Sequence, residues 1–149
     1  MKTVIVYYSK HHNNTKKVID VIAKLENVKL IDAGIIKEKD LSEYDLICFA
    51  SGIFYSNFHK CVIEFAKKNL PENKKVFFIY TCGIKRANYT DKIKQIVIEK
   101  NSKVLGEYAC LGFDTFGPLK LIGGIAKGHP NEEEINGAVE FYSNIINKI

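Results

Sequence analysis

The chain has 149 residues, 46% hydrophobic and 26% charged, with a formal net charge of +5, which is the balance of one soluble globular domain, 1–149, with a full core. No apolar run approaches the ~20 residues that a bilayer-spanning helix requires, and the amino terminus enters an apolar strand directly instead of a charged, leader-like stretch, so a cytoplasmic protein with no membrane span is expected. Arg86 is the one arginine and the lysines are scattered through every segment, which argues against nucleic-acid binding; the four cysteines and four histidines show neither a C-x-x-C pair nor regular metal spacing, so no metal is expected.

Thr3 to Tyr8 is a run of β-branched and aromatic residues and reads as a buried strand, after which Val18, Ile22 and Leu25 recur at helical spacing. Between them lie Ser9, Lys10, His11, His12, Asn13, Asn14 and Thr15. The first turn of a helix offers unpaired N–H groups and the positive end of the macrodipole. The hydroxyls of Ser9 and Thr15 and the amides of Asn13 and Asn14 can add to these, so the junction reads as a phosphate cradle. His11 and His12 contribute either positive charge or, for His11, a backbone N–H. The loop lacks the Gly-Lys-Ser/Thr ending of a nucleoside-triphosphate site, and with no glycine before Gly34 it lacks G-x-G-x-x-G. Hydroxyls and amides suit a terminal phosphate monoester held by neutral donors.

Val28 to Asp32 forms a second strand ended by Asp32, and Ala33 to Tyr44 reads as a loop. Asp45 to Ala50 is a third strand. Phe58, Cys61, Val62, Phe65 and Ala66 then make a helix face before Pro71. Lys75 to Tyr80 is the fourth strand, followed by a helix on Ile93, Ile96 and Val97, and Lys103 to Leu111 is the fifth. Ile135, Val139, Tyr142 and Ile146 mark the last helix, opened by Pro130 to Glu134. Cys48 and Cys110 fall inside apolar strands as buried thiols. Strands alternating with helices predict an α/β fold, a parallel sheet covered on both faces. Gly112 to His129 holds five glycines and Pro118, which exclude a regular helix over most of it and predict an ordered, functional loop.

In an open parallel sheet the ligand lies beyond the carboxyl ends of the strands, where strand order reverses. That selects the phosphate loop, Ser51-Gly52-Ile53-Phe54-Tyr55-Ser56-Asn57, Thr81-Cys82-Gly83-Ile84-Lys85-Arg86 and Phe113-Asp114-Thr115-Phe116. Aromatic residues flanked by small polar ones fit a flat, hydrogen-bonding heterocycle: Phe54 or Tyr55 stacks while the backbone at Gly52 and Gly83 approaches its edge. Cys82 is either a packed thiol or a reactive one.

The chain resembles the flavodoxin family over essentially its whole length. Tyr8-Ser9 through Asn14-Thr15 is similar to the family's Ser/Thr-x-Thr-Gly-x-Thr loop, one residue longer, with Asn13 where the glycine would be. The resemblance implies a flavodoxin-like three-layer sandwich with a five-stranded parallel sheet of order 2-1-3-4-5. It also implies an FMN cofactor, with the phosphate on Ser9, Lys10, His11, Asn13, Asn14 and Thr15, and the ring among Ser51 to Tyr55, Thr81 to Gly83 and Phe113 to Thr115. Family carriers are usually acidic and commonly sandwich the ring with a tryptophan and a tyrosine. This chain is basic, has no tryptophan, and near its fourth strand offers Tyr89.

The expected function is an FMN-binding electron-transfer protein serving redox partner proteins, with no catalytic acid or base, in which Lys85 and Arg86 raise the flavin potential. Ser51 to His59 is also similar to a stretch of the flavodoxin-like protoporphyrinogen dehydrogenases. The competing function is therefore an FMN-dependent oxidoreductase acting on a small organic acceptor, a quinone, nitroaromatic or porphyrinogen, with Gly112 to His129 as a substrate wall. A signalling receiver domain of the same topology needs an acidic cluster after strand one and an aspartate ending strand three; Tyr8, Ser9 and Ser51 stand there instead.

Overall fold

A computed structural model describes residues 1–149. The strands are β1 (Thr3–Tyr8), β2 (Val28–Asp32), β3 (Leu46–Phe54), β4 (Asn57–Phe58), β5 (Lys75–Cys82) and β6 (Lys103–Leu111), and the helices are α1 (Asn14–Ala23), α2 (Lys60–Asn69), α3 (Asp91–Glu99) and α4 (Glu132–Asn147). The sheet runs β2-β1-β3-β5-β6 with every neighbouring pair parallel. Counting the five long strands alone, this is the expected 2-1-3-4-5 order. The addition is β4, which folds back antiparallel on the end of β3.

Successive strand residues point to opposite faces, so an uninterrupted apolar strand feeds two cores at once. Val4 and Val6 of β1, Ile47 and Phe49 of β3, and Val76 and Phe78 of β5 pack under Val62, Phe65 and Ala66 of α2 and Ile93 and Val97 of α3. Ile5, Cys48, Phe77 and Ile79 face the other way, against Val18, Ile19 and Ile22 of α1 and Ala138, Tyr142 and Ile145 of α4. The Tyr142 hydroxyl hydrogen-bonds Thr3 Oγ1 at 2.8 Å, joining the last helix to the first strand. Asn131 and Glu134 form a reciprocal capping box that starts α4 where its acidic run was expected to open it.

Several boundaries differ from the expectations, among them the end of β5, which runs on to Cys82 instead of stopping at Tyr80 and so takes Thr81 and Cys82 out of the expected loop. β3 does not stop at Ala50 but runs on through Phe54, because Ile53 and Phe54 pair with Phe58 and Asn57 in a hairpin. Phe58 accordingly belongs to a strand and not to the α2 face. Leu25 lies beyond the end of α1 and is exposed. The glycine segment contains one short 3₁₀ turn, Gly117–Ile122, and Gly117, Gly123, Gly124 and Gly128 take positive φ, which keeps it from becoming a helix. No helix is long and apolar enough to cross a membrane.

Phe49 is fully buried in the central strand. Replacing it with alanine leaves a cavity that the packed sheet cannot collapse, at a cost of about 3–5 kcal/mol. Ile98→Ala on the outer side of α3, where the side chain is exposed, is expected to stay within about 0.5 kcal/mol of the parent. Urea denaturation of the two variants checks the contrast.

Candidate functional site

β1 ends at Tyr8 and α1 begins at Asn14, leaving residues 9–13 to turn the chain. His12 and Asn13 both take left-handed angles, φ 51° and 52°. Asparagine enters that region more readily than other side chains, which is how Asn13 replaces a glycine. The backbone N–H groups of Lys10, His11, His12, Asn13 and Thr15 donate to no acceptor in the chain. Ser9 Oγ accepts from the Lys16 N–H at 3.1 Å, capping the first turn of α1 and leaving its own proton to donate. Unpaired amides gathered at the positive end of a helix make an anion-binding concavity.

This turn is one wall of an open cleft over the carboxyl edge of the sheet. Ser9, Lys10, His11, Asn14, Thr15, Gly52, Ile53, Phe54, Tyr55, Thr81, Cys82, Gly83, Phe113 and Asp114, all expected from the sequence, line it together. Asn13, Ser51 and Thr115 do not. Asn13 is the turn residue itself. Ser51 lies beneath, donating from Oγ to the Gly52 carbonyl at 2.6 Å and accepting from the His59 N–H at 2.9 Å, so it fixes the end of β3. Thr115 Oγ1 pairs with His12 Nε2 at 2.8 Å, tying the fourth loop to the first. Tyr8, Gly112 and Phe116 also line the cleft. Sequence reading placed Phe116 in the segment after the fifth strand without counting it among the cofactor residues, and left out Tyr8 and Gly112, although each adjoins a segment it selected.

The floor is polar. Thr15 Oγ1 and Thr81 Oγ1 share a buried hydrogen bond of 2.8 Å. Asn14 Nδ2 donates to the Phe113 carbonyl at 2.8 Å, while Asn14 Oδ1 is a buried acceptor with no partner. A Cβ on Gly112 would stand 2.7 Å from Asn14 Nδ2, so glycine there is what lets the carboxamide reach the Phe113 carbonyl just past β6. Gly83 is equally constrained: its Cβ would meet Ile125 Cδ1 at 2.7 Å and Asp114 Oδ2 at 2.9 Å.

The walls are aromatic. Tyr8 stacks face to face on His59 at 3.7 Å, and Phe54 meets both rings edge-on, at 6.0 and 4.8 Å. His59 Nδ1 accepts from the Cys61 N–H to start α2. Burial first, then Lys60 and Lys37, lowers the His59 pKa and keeps the ring neutral. Tyr55 and Ser56 form the two-residue tip of the β3–β4 hairpin at φ 49° and 62°; Tyr55 is 87% exposed, its ring edge-on to Phe116 at 6.0 Å. Tyr89, the aromatic expected near the β5 loop, is turned inward: its hydroxyl donates to the Ile84 carbonyl at 2.9 Å and its ring packs on Tyr80. The aromatic opposite Tyr55 is Phe116, from the glycine segment. Lys85 and Arg86 are exposed and outside the lining, where solvent screens them.

A parallel sheet whose order reverses at β1, with a helix amino terminus and an aromatic cleft over the reversal, defines a doubly wound α/β protein. The family model described as a flavodoxin domain matches residues 4–110, and the chain belongs to the flavodoxin family. It is 36% identical over 148 residues to an uncharacterised protein of Methanocaldococcus jannaschii, covering 98% of this chain and 99% of that protein. The fold is similar to that of rubredoxin oxygen:oxidoreductase from Desulfovibrio gigas, with a TM-score of 0.73 at 16% identity over 99% of this chain and 35% of that one. It is also similar to a Streptococcus pneumoniae flavodoxin, with a TM-score of 0.68 at 16% identity over 100% of both chains.

Cys82 lies in the cleft, yet its thiol is buried and its pKa is pushed up to about 11, by burial first, with Lys85 pulling weakly the other way. A raised thiol pKa withholds the thiolate at neutral pH. Iodoacetamide should therefore leave Cys82 unmodified in the native protein at pH 8, with labelling rising only toward pH 11. Peptide mapping by mass spectrometry across pH reads this directly, and rapid labelling of Cys82 at pH 8 would contradict it.

Proposed function

We propose that the cleft binds FMN and that this protein is a cytoplasmic electron carrier, its 149 residues acting as one domain. One observation carries the reading: unpaired donors and an unpaired acceptor meet in the same aromatic cleft. The amides of residues 10–13 and 15, with the Ser9 hydroxyl, want an anion that only accepts, as a phosphate dianion does. Asn14 Oδ1 wants a donor, as the hydroxyls of a ribityl chain are. Tyr8, Ile53, Phe54 and Phe113 offer apolar surface to a flat ring. Flavin mononucleotide combines these three features in one molecule.

When bound, FMN supplies reversible one- and two-electron redox chemistry, and the protein sets its potential and access. The apolar walls disfavour extra negative charge in the cleft, while Lys10 on the lining opposes that effect. The one carboxylate on the lining, Asp114, is held by the Phe116 N–H at 2.8 Å. The buried thiol stays protonated. The lining therefore supports an electron carrier more than a catalyst built on an acid–base pair.

FMN titrated into the protein should be taken up one to one, and riboflavin, lacking the phosphate, at least about 100-fold more weakly. Ser9→Ala removes a hydroxyl donor and is expected to cost about 1.5–3 kcal/mol of FMN affinity while leaving riboflavin unchanged. Flavin fluorescence quenching reads both. Equal affinity for the two flavins, or no uptake of either, would overturn the assignment, and sustained turnover of a quinone by the loaded protein would favour the oxidoreductase.

A further inference from the structure

The net charge of this protein is not spread evenly. Residues 9–13, 53–57, 83–88 and 112–129 form the loops around the cleft, and they carry Lys10, Lys85, Arg86, Lys120 and Lys127 against the single carboxylate Asp114. These loops thus hold all but one unit of the overall +5. The remainder of the molecule is close to neutral. Glu134 is taken up at the base of the glycine segment, where its carboxylate pairs with His129 Nδ1 at 2.8 Å, and Glu132 and Glu133 line a separate depression beside Tyr108 and Glu140 and take no part in the cleft.

The same loops are unusually apolar. Five of the eleven exposed large hydrophobic residues, Tyr55, Ile84, Phe116, Leu121 and Ile122, lie on them, and Leu121 is 89% exposed. The loops are also joined to one another. His12 pairs with Thr115, the Tyr55 ring meets Phe116, His11 lies edge-on to Phe116 at 6.2 Å, and Gly83 is packed against Ile125 and Asp114. Asp114 and Ile125 exchange two backbone hydrogen bonds, and the Phe113 N–H reaches the His129 carbonyl, so the glycine segment is closed on itself.

We propose that this rim is the docking surface for an acidic protein, one that presents carboxylates around a small apolar centre. An apolar middle with a charged margin is the anatomy of a transient protein interface, and like-charged loops steer an opposite partner to the cleft mouth. A nucleic acid fits less well, because the five cations are divided among three loops and include one arginine, with no run of basic residues along any of them. An anionic bilayer also fits less well: the six-residue 3₁₀ turn exposes only Leu121 and Ile122 strongly, less apolar surface than an interfacial helix sinks into lipid. That the partner is a redox protein rests on the flavin reading above; its charge and the place where it docks do not.

The probe is an oxidised acidic [4Fe–4S] ferredoxin, fluorescently labelled and titrated by anisotropy with the FMN-loaded and, separately, the flavin-free protein. Binding is expected in both forms, weakened at least ten-fold between ~20 and ~300 mM salt. Lys85→Glu, Arg86→Glu and Lys120→Glu together should weaken it at least ten-fold at low salt, with FMN uptake kept within two-fold. Leu121→Ser with Ile122→Ser should weaken it at both salt concentrations, as loss of the apolar centre requires. The proposal is overturned if a basic cytochrome c binds as tightly as the ferredoxin, if charge reversal has no effect, or if poly(dT) or phosphatidylserine vesicles bind more tightly than the ferredoxin in the same buffer. Failure of the flavin reading shows separately as absent FMN uptake, with ferredoxin binding to the flavin-free protein still measured.

Discussion

The position of β1 is the constraint on which the rest depends. Both of its edges are paired, to β2 on one side and β3 on the other, and its residues feed both cores. A strand so enclosed can release its chain only upward, over the carboxyl edge of the sheet. The chain leaves to one flank for α1 and β2, then returns across to β3, so the loops after β1 and β3 part and leave a crevice between them. The geometry of the cleft follows from strand order before any functional side chain is chosen.

What fills that crevice is governed by hydrogen-bond accounting. The other buried polar groups are matched: Ser51 with Gly52 and His59, Thr15 with Thr81, Tyr142 with Thr3. Within the cleft, Asn14 Oδ1 is buried without a partner, and a run of amides after β1 goes unanswered. Burying polar groups without partners costs free energy that a folded chain ordinarily avoids. Asn14 Oδ1 alone bears that cost, whereas the amides stand on the exposed residues 10–13, where water meets them unless an anion replaces it.

The sequence made the sheet legible because period-two burial on both faces demands unbroken apolar strands, and Val4 to Tyr7, Leu46 to Ala50 and Val76 to Tyr80 have no other stable use. The cradle was legible for a similar reason: hydroxyls and amides between a strand and a helix have few uses. Less legible were features set by contacts across the molecule. Tyr89 has the composition of a ring-stacking residue, but only the fold shows that its hydroxyl reaches Ile84 and turns the ring inward. Phe116 becomes the opposing aromatic because Gly124, at φ 87°, lets the segment fold back; a Cβ there would stand 2.6 Å from the Phe113 ring. No local spacing encodes that return.

The hairpin that ends β3 shows how packing overrides turn chemistry. Two-residue hairpin tips with positive φ at both positions favour Asn-Gly, and Tyr55-Ser56 has neither residue. Left-handed angles at such side chains cost about 1–2 kcal/mol each, so something else must hold the turn. On one side Phe58 is drawn into the core against Phe78 and Tyr80. On the other, Phe54 packs edge-on to Tyr8 and His59. Asn57 Nδ2 closes the tip by donating to the Tyr55 carbonyl at 3.1 Å. With Phe58 buried and Phe54 half-buried one register step away across the hairpin, the chain has no room for a longer loop. The residue at the apex is forced outward, which is why a large aromatic, Tyr55, stands exposed at the mouth of the cleft, where whatever docks there must meet it.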